Sequence, residues 1–138
     1  MLTLALVGAG VLQLGLAVIN LLLPRWFRWR VEMRAVSLFT RQIFFVHLAF
    51  IVILVAGFGA VTIAAAPELQ QPGILSRALD VFLTAFWAAR LTAQVAAYSP
   101  QLWRGNGWKT TAHVAMTLLW IFLTAVYGLA LLRAWGRG

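Results

Sequence analysis

The sequence contains no cysteine and very few acidic residues. Its 138 residues include three Asp and Glu against eleven Lys and Arg, which gives a formal net charge of +8. Without cysteine the chain can form no disulfide, no thiolate metal site and no cysteine nucleophile. Only 10% of the residues are charged, against roughly 25% in soluble domains, while 63% are hydrophobic. The composition excludes an ordinary soluble domain and a nucleic-acid-binding protein, and it indicates a membrane protein.

Four apolar stretches are long enough to cross a bilayer as helices, which takes about 20 residues each. They cover about residues 1–23, 43–66, 75–98 and 112–133. Proline, glycine and polar residues lie between them and stop each helix. We therefore predict an all-α integral membrane protein in which residues 1–138 form a single transmembrane domain, closed as an up-and-down four-helix bundle.

Arginine and lysine residues set the predicted orientation. Seven of them lie in the loops after the first and third spans, and three lie near the opposite ends of the spans. Because cytoplasmic loops are enriched in Lys and Arg, we expect both basic loops in the cytoplasm and both termini on the other side. No positive charge precedes the first apolar stretch, so we expect it to be a retained span rather than a cleaved signal peptide. This pattern fits a bacterial inner membrane, and it fits several organellar membranes equally well. The seven loop residues are Arg25, Arg28, Arg30, Arg34, Arg41, Arg104 and Lys109, and the three others are Arg77, Arg133 and Arg137.

Residues 24–42 form the longest predicted segment outside the spans. Its arginines and Ser37 recur at helical spacing, and its tryptophans supply apolar surface. We expect an interfacial helix that anchors the protein among anionic headgroups, or alternatively a surface that binds an acidic partner. The residues expected to face lipid or a partner are Arg25, Arg28, Arg30, Arg34, Arg41, Trp26 and Trp29.

Each predicted span has one face of small or polar residues. In lipid such residues mark the faces that pack against protein, because the hydrophobic effect does not drive helices together there. We expect these faces to meet in the bundle or to contact another chain. In chain order they contain Gly10, Gln13, Ala17 and Asn20; His47, Gly57 and Gly59; Arg77, Asp80, Thr84 and Trp87; and His113, Thr117, Trp120, Thr124 and Tyr127.

Four polar residues within the spans are predicted to share one depth. His47, Arg90, Gln94 and His113 lie about four to eight residues from the same membrane face, or roughly 6–12 Å along the helix axis. An unpaired intramembrane charge costs several kcal/mol, and Asp80 is ten residues from Arg90 on the same helix. Arg90 therefore needs another partner. That partner is either a neighbouring glutamine or carbonyl, or an anion such as a lipid phosphate or a haem propionate.

Two cofactors fit such a cluster. His47 and His113 could act as the two axial ligands of a b-type haem. Alternatively, His, Gln and Arg side chains could bind the carbonyls of a quinone between Trp87 and Trp120. No other metal site is expected, because this depth offers no carboxylate or thiolate. Catalytic residues cannot be assigned, since no carboxylate is placed to orient a histidine beside a serine.

Three functions are compatible with these features. The first is an accessory or assembly subunit of a larger membrane complex, which binds other membrane chains or further copies of itself. The second is a redox protein that binds haem or quinone through His47, Arg90, Gln94 and His113. The third is an enzyme or carrier for an anionic lipid whose headgroup is bound by Arg90. Short loops and the lack of a complete catalytic constellation favour the first function.

Overall fold

The computed structural model describes residues 1–99, 101 and 105–136, and helices are the only regular elements within them. Short 3-10 turns lie at Met33–Ala35 and Glu68–Gln70. The prediction of an all-α chain is confirmed. Arg104 and Arg137, which entered the predicted orientation, lie outside the described residues. The α-helices are Leu2–Trp26 (α1), Trp29–Glu32 (α2), Leu38–Ala64 (α3), Ile74–Ala96 (α4) and Gly107–Gly136 (α5).

Three of the described helices are long and apolar enough to cross a membrane, namely α1, α3 and α5. They contain 25, 27 and 30 residues, and the hydrocarbon core of a bilayer needs about 20. The protein is therefore an all-helical integral membrane protein. The fourth long helix, α4, covers the predicted third span, but its 23 residues include Arg77, Asp80 and Arg90. These charges keep α4 outside the set of helices that qualify by apolar composition alone.

Two helices begin earlier than the hydropathy pattern predicts. α3 begins at Leu38 rather than near residue 43, and α5 begins at Gly107 rather than near residue 112. Each has a capping side chain at its start: the Ser37 hydroxyl accepts a hydrogen bond from the Thr40 N–H, and the Asn106 side-chain oxygen accepts one from the Lys109 N–H. Caps mark where a helix begins, whereas hydropathy marks only its apolar part.

The prediction of one interfacial helix over residues 24–42 is wrong in its secondary structure. α1 extends into this segment, α2 is a single turn, and a 3-10 turn precedes α3. The interruption lies at Arg28, whose φ of 52° and ψ of 34° place it in the left-handed region. Ser37 then caps α3, so Arg34 and Arg41 belong to different elements. The helical spacing of the arginines therefore does not describe one continuous face.

The chain forms two compact units: residues 1–6 with 66–138, here the α4–α5 unit, and residues 7–65, here the α1–α3 unit. In the α4–α5 unit, the two long helices pack along the polar faces predicted for them. The buried residues of α4 are Asp80, Leu83, Trp87 and Gln94, and those of α5 are Trp120, Leu123, Val126, Tyr127, Ala130 and Ala134.

Hydrogen bonds join several elements at one end of the α4–α5 unit. Arg77 donates from Nε and Nη2 to the backbone oxygen of Ala134, at 3.3 and 3.1 Å, and so satisfies a carbonyl in the last turn of α5. Gln70 is buried and donates from Nε2 to the Thr3 hydroxyl and to the Ala66 carbonyl, at 2.9 Å each. Its Oε1 accepts from Arg133 at 3.3 Å. The 3-10 turn that contains Gln70 is thereby tied to the start of α1 and the end of α5.

In the α1–α3 unit, two glycines bring the helix backbones into contact. A Cβ added at Gly59 would lie 2.7 Å from the Gly10 carbonyl oxygen, and one added at Gly10 would lie 2.8 Å from the Gly59 carbonyl oxygen. Only hydrogen fits at either position. Backbone contact of this kind is typical of small-residue interfaces between membrane helices. The close approach expected on this face is present at Gly59 and not at Gly57, where a Cβ would meet no atom within 4 Å.

We expect Gly59→Ala to lower the free energy of unfolding in detergent micelles by about 1–3 kcal/mol, because overpacking must push α1 and α3 apart. Gly57→Ala is the matched control, since a Cβ at Gly57 meets no atom within 4 Å. It should leave stability unchanged or raise it through better helix propensity. Equal effects of the two substitutions would contradict the backbone contact.

Candidate functional site

The side-chain amide of Gln94 is the centre of a polar network between α4 and α5. Its Oε1 accepts hydrogen bonds from Arg90 Nη1 at 3.1 Å and from Trp120 Nε1 at 3.2 Å. Its Nε2 lies 2.9 Å from His113 Nδ1. Gln94 is only 5% exposed, so these hydrogen bonds replace the hydration that the amide loses on burial. The structure thus joins Arg90, Gln94 and His113, which were predicted to share one depth.

Helix periodicity explains why these four residues meet. Arg90 and Gln94 are four residues apart on α4, and His113 and Trp120 are seven apart on α5. Spacings of four and seven place side chains on one face of a helix, so two faces in contact bring all four together. Trp120 was assigned to the polar face of its span, but its hydrogen bond to Gln94 could not be predicted from spacing alone.

Arg90 is satisfied by its own chain. Besides Gln94, its guanidinium lies 4.7 Å from the centroid of the Trp120 ring and 5.7 Å from that of the Tyr98 ring. Cation–π contacts of this kind contribute about 0.5–2 kcal/mol, more when desolvated. Of the partners predicted for Arg90, a neighbouring glutamine is therefore present. Asp80 is not a partner, in agreement with the separation of ten residues along α4.

The donors around Gln94 fix the proton on His113. Arginine and tryptophan nitrogens only donate, so the amide oxygen must face them and the amide NH₂ must face His113. His113 Nδ1 then accepts, and the neutral ring carries its proton on Nε2. An iron bound at Nε2 would require the opposite tautomer and a reversed Gln94 amide. That reversal would point the NH₂ at two other donors, so this network does not fit axial ligation through His113 Nε2.

Trp87 and Trp120 stack directly on each other. Their ring centroids are 5.3 Å apart and their planes differ by 9°. This offset stack leaves no room for a third ring between them. A quinone held between the two tryptophans, as the sequence suggested, is therefore not compatible with this arrangement.

The fourth predicted cofactor-binding residue, His47, lies in the α1–α3 unit. Its Nδ1 is 2.8 Å from the Ile43 carbonyl oxygen, one turn earlier in α3, and its side chain is exposed. The carbonyl can only accept, so Nδ1 donates and Nε2 is the acceptor of the neutral ring. The convergence of His47 with the other three residues stays a prediction.

Asp80 is the acidic residue of α4. It is fully buried, and neither of its carboxylate oxygens has a hydrogen-bond partner among the described residues. No three His, Asp or Glu side chains in the described part of the chain come close enough to hold a metal ion. Asp80 therefore lies outside the Gln94 network.

The residues predicted to face lipid or a partner lie between the last turn of α1 and the first turn of α3. Arg25, Arg28, Arg30, Arg34 and Trp26 are exposed, and Arg41 and Trp29 are half-buried. Trp29 packs edge-on against Phe44 with a centroid distance of 5.4 Å. Exposure agrees with contact to lipid or a partner and does not by itself distinguish the two.

Gln94→Leu should lower the free energy of unfolding in micelles by about 1–3 kcal/mol, because it leaves the Trp120 N–H and part of the Arg90 guanidinium without a hydrogen-bond acceptor. The near-ultraviolet circular dichroism of the Trp87–Trp120 stack should weaken with it. Thr92→Val is the matched control: Thr92 is exposed and bonds only the Ala88 carbonyl of its own helix. Wild-type stability of Gln94→Leu would contradict a structural role for the network.

The comparisons with known proteins leave the family open. No family model matches the chain, and no curated protein or solved structure matches it significantly.

Proposed function

We propose that the protein is an accessory or assembly subunit of a larger complex in a bacterial inner membrane. In this proposal it has four transmembrane helices in an up-and-down bundle, with both termini on the non-cytoplasmic side. The segment between α1 and α3 lies at the cytoplasmic interface. Three observations support the proposal. α4 is long enough to span a bilayer and buries its polar face, glycines on α1 and α3 face outward, and the polar network around Gln94 binds Arg90 within the chain.

α4 is proposed as the remaining span in spite of its charges. Its 23 residues make a helix about 34 Å long, and a hydrocarbon core is about 30 Å thick. Asp80 and Gln94 lie on its buried face, and Arg90 bonds within the chain. The exposed residues include Val81, Phe82 and Val95. A helix with its polar groups turned to protein and apolar groups turned outward is suited to lipid.

Glycines on the outer faces of α1 and α3 are the main support for a partner chain. A Cβ added at Gly8, Gly15 or Gly57 would meet no atom within 4 Å, so the packing of this chain does not require glycine there. Glycine in a helix costs about 1 kcal/mol relative to alanine. Close approach of a neighbouring helix is the usual reason for small residues on a membrane-helix surface.

The outward face at Gly57 extends over two more turns. Ala60 and Ala64 follow it at spacings of three and seven, and all three positions are exposed. Small residues at this spacing form a shallow groove along a helix that accepts a second helix.

A non-catalytic role also agrees with the Gln94 network, in which Arg90 is bound within the chain rather than by substrate.

The test is the size and composition of the particle that contains this protein in its own host membrane. Purified in mild detergent, wild type is expected to elute with stoichiometric partner chains or further copies, so that the protein mass without the bound detergent is well above 15.2 kDa. Gly57→Leu should lower the association constant for the partner chain roughly tenfold, because the leucine fills the groove; that loss corresponds to about 1.4 kcal/mol. A matched control is Gly107→Leu, which adds the same volume at an open position outside the apolar part of α5.

Monomeric wild type with no stoichiometric partner would contradict the proposal, as would unchanged assembly of Gly57→Leu. The same purified material tests the redox alternative, in which His47, Arg90, Gln94 and His113 bind haem or quinone. A reducible pigment or bound quinone at one per chain, lost in His113→Ala while assembly persists, would replace the subunit proposal. A featureless spectrum with intact assembly supports it.

A further inference from the structure

A cavity of about 600 Å³ opens in the α1–α3 unit beside the left-handed turn at Arg28. Its volume is in the roughly 300–1,000 Å³ range of ligand-binding clefts. Three arginines line it, Arg25, Arg28 and Arg30, and its remaining lining residues are apolar. A second cavity of about 690 Å³ adjoins it, shares Arg30 and Phe45, and adds Arg41. The two cavities thus form one groove with four arginines.

The arginines of this groove have no acidic partner among the described residues of the α1–α3 unit. Arg25, Arg28 and Arg30 donate no side-chain hydrogen bond to any described residue. Glu32 is the one acidic residue of the sequence within residues 7–65, which contain five arginines, and it lines neither cavity. A cluster of arginines with unused donors is matched by a phosphate group, which accepts several charge-assisted hydrogen bonds at once.

The walls of the groove are apolar and follow the length of α3. Leu48, Ala49 and Val52 line its inner part, together with Leu21 of α1. From Arg41 to Val52 the helix rises about 16 Å, so the lining changes from cationic to apolar over a distance comparable to half a hydrocarbon core. A ligand that fits must therefore carry an anionic head and an apolar tail. A free phosphate offers no tail, and an acidic peptide offers no long apolar chain.

We propose that this groove binds one anionic phospholipid, with its phosphate between Arg25, Arg28 and Arg30 and an acyl chain along Leu48, Ala49 and Val52. The left-handed conformation of Arg28 turns the chain at the end of α1, which places α2 and Arg30 on the same cavity as Arg25. The inference goes beyond a subunit role and does not depend on it, because a site within residues 7–65 is complete in one chain. It also differs from general attraction of basic loops to anionic headgroups, which needs no cavity.

The experiment is native mass spectrometry of the full chain in detergent, titrated with phosphatidylglycerol, and with phosphatidylcholine in parallel. Wild type should retain one phosphatidylglycerol and much less phosphatidylcholine. Arg30→Gln should weaken retention about fivefold, the usual effect of one basic residue at an anionic lipid. Arg34→Gln is the matched control, because Arg34 is an exposed arginine of the same segment that lines neither cavity.

A second variant tests the apolar wall without changing the charge. Ala49→Phe should fill the inner cavity and reduce retention at least as much as Arg30→Gln, while its elution volume and helix content stay those of wild type. Equal losses in Arg34→Gln and Arg30→Gln would overturn the proposal in favour of diffuse electrostatic attraction. Unchanged binding by Ala49→Phe, or full displacement of the lipid by inorganic phosphate, would show that no acyl chain occupies the groove and would overturn it as well.

Discussion

In the proposed four-span arrangement, the charged side chains of α4 lie inside a bilayer and find no water to bind. The packing of α4 on α5 meets that constraint. Both arginines of α4 use acceptors or rings that α5 helps to supply: Arg77 binds the Ala134 carbonyl, and Arg90 shares the Gln94 oxygen with Trp120 while lying over the Trp120 ring. These contacts lie near opposite ends of the helix pair. They fix its rotation and its axial register together, because a shift of either helix breaks both sets.

The α1–α3 unit uses a different means of packing. Gly10 and Gly59 bring two backbones into van der Waals contact. At one end of this unit, arginines surround an apolar groove. The two units also differ in what they leave for other molecules. The network around Gln94 is closed within the chain, whereas the arginine groove and the glycines at Gly15 and Gly57 are open. Binding of lipid and partner chains is therefore proposed for residues 7–65.

Periodicity in the sequence predicted the long helices and the faces on which α4 and α5 are buried. It also selected Arg90, Gln94 and His113, because depth and face both follow from residue counting. The network itself depends on the direction of each hydrogen bond, which spacing does not give, so the proton on His113 and the stack of Trp87 on Trp120 were not predicted. Gln70 was missed because its turn has no helical period, although a glutamine beside a buried leucine was a usable signal. The prediction of an interfacial helix was wrong at Arg28, because no pattern in the sequence indicates that an arginine adopts the left-handed conformation.

The central claim is that α4 crosses the membrane with its charged residues turned toward protein. The chain has no cysteine, so single introduced cysteines report one position each. Gln71→Cys lies before α4 and Gly107→Cys follows it, and both positions are exposed. Four spans predict that a membrane-impermeant maleimide labels Gln71→Cys in intact cells and labels Gly107→Cys only after the membrane is permeabilised. Labelling of both from the same side would mean that α4 does not cross, and it would contradict the account.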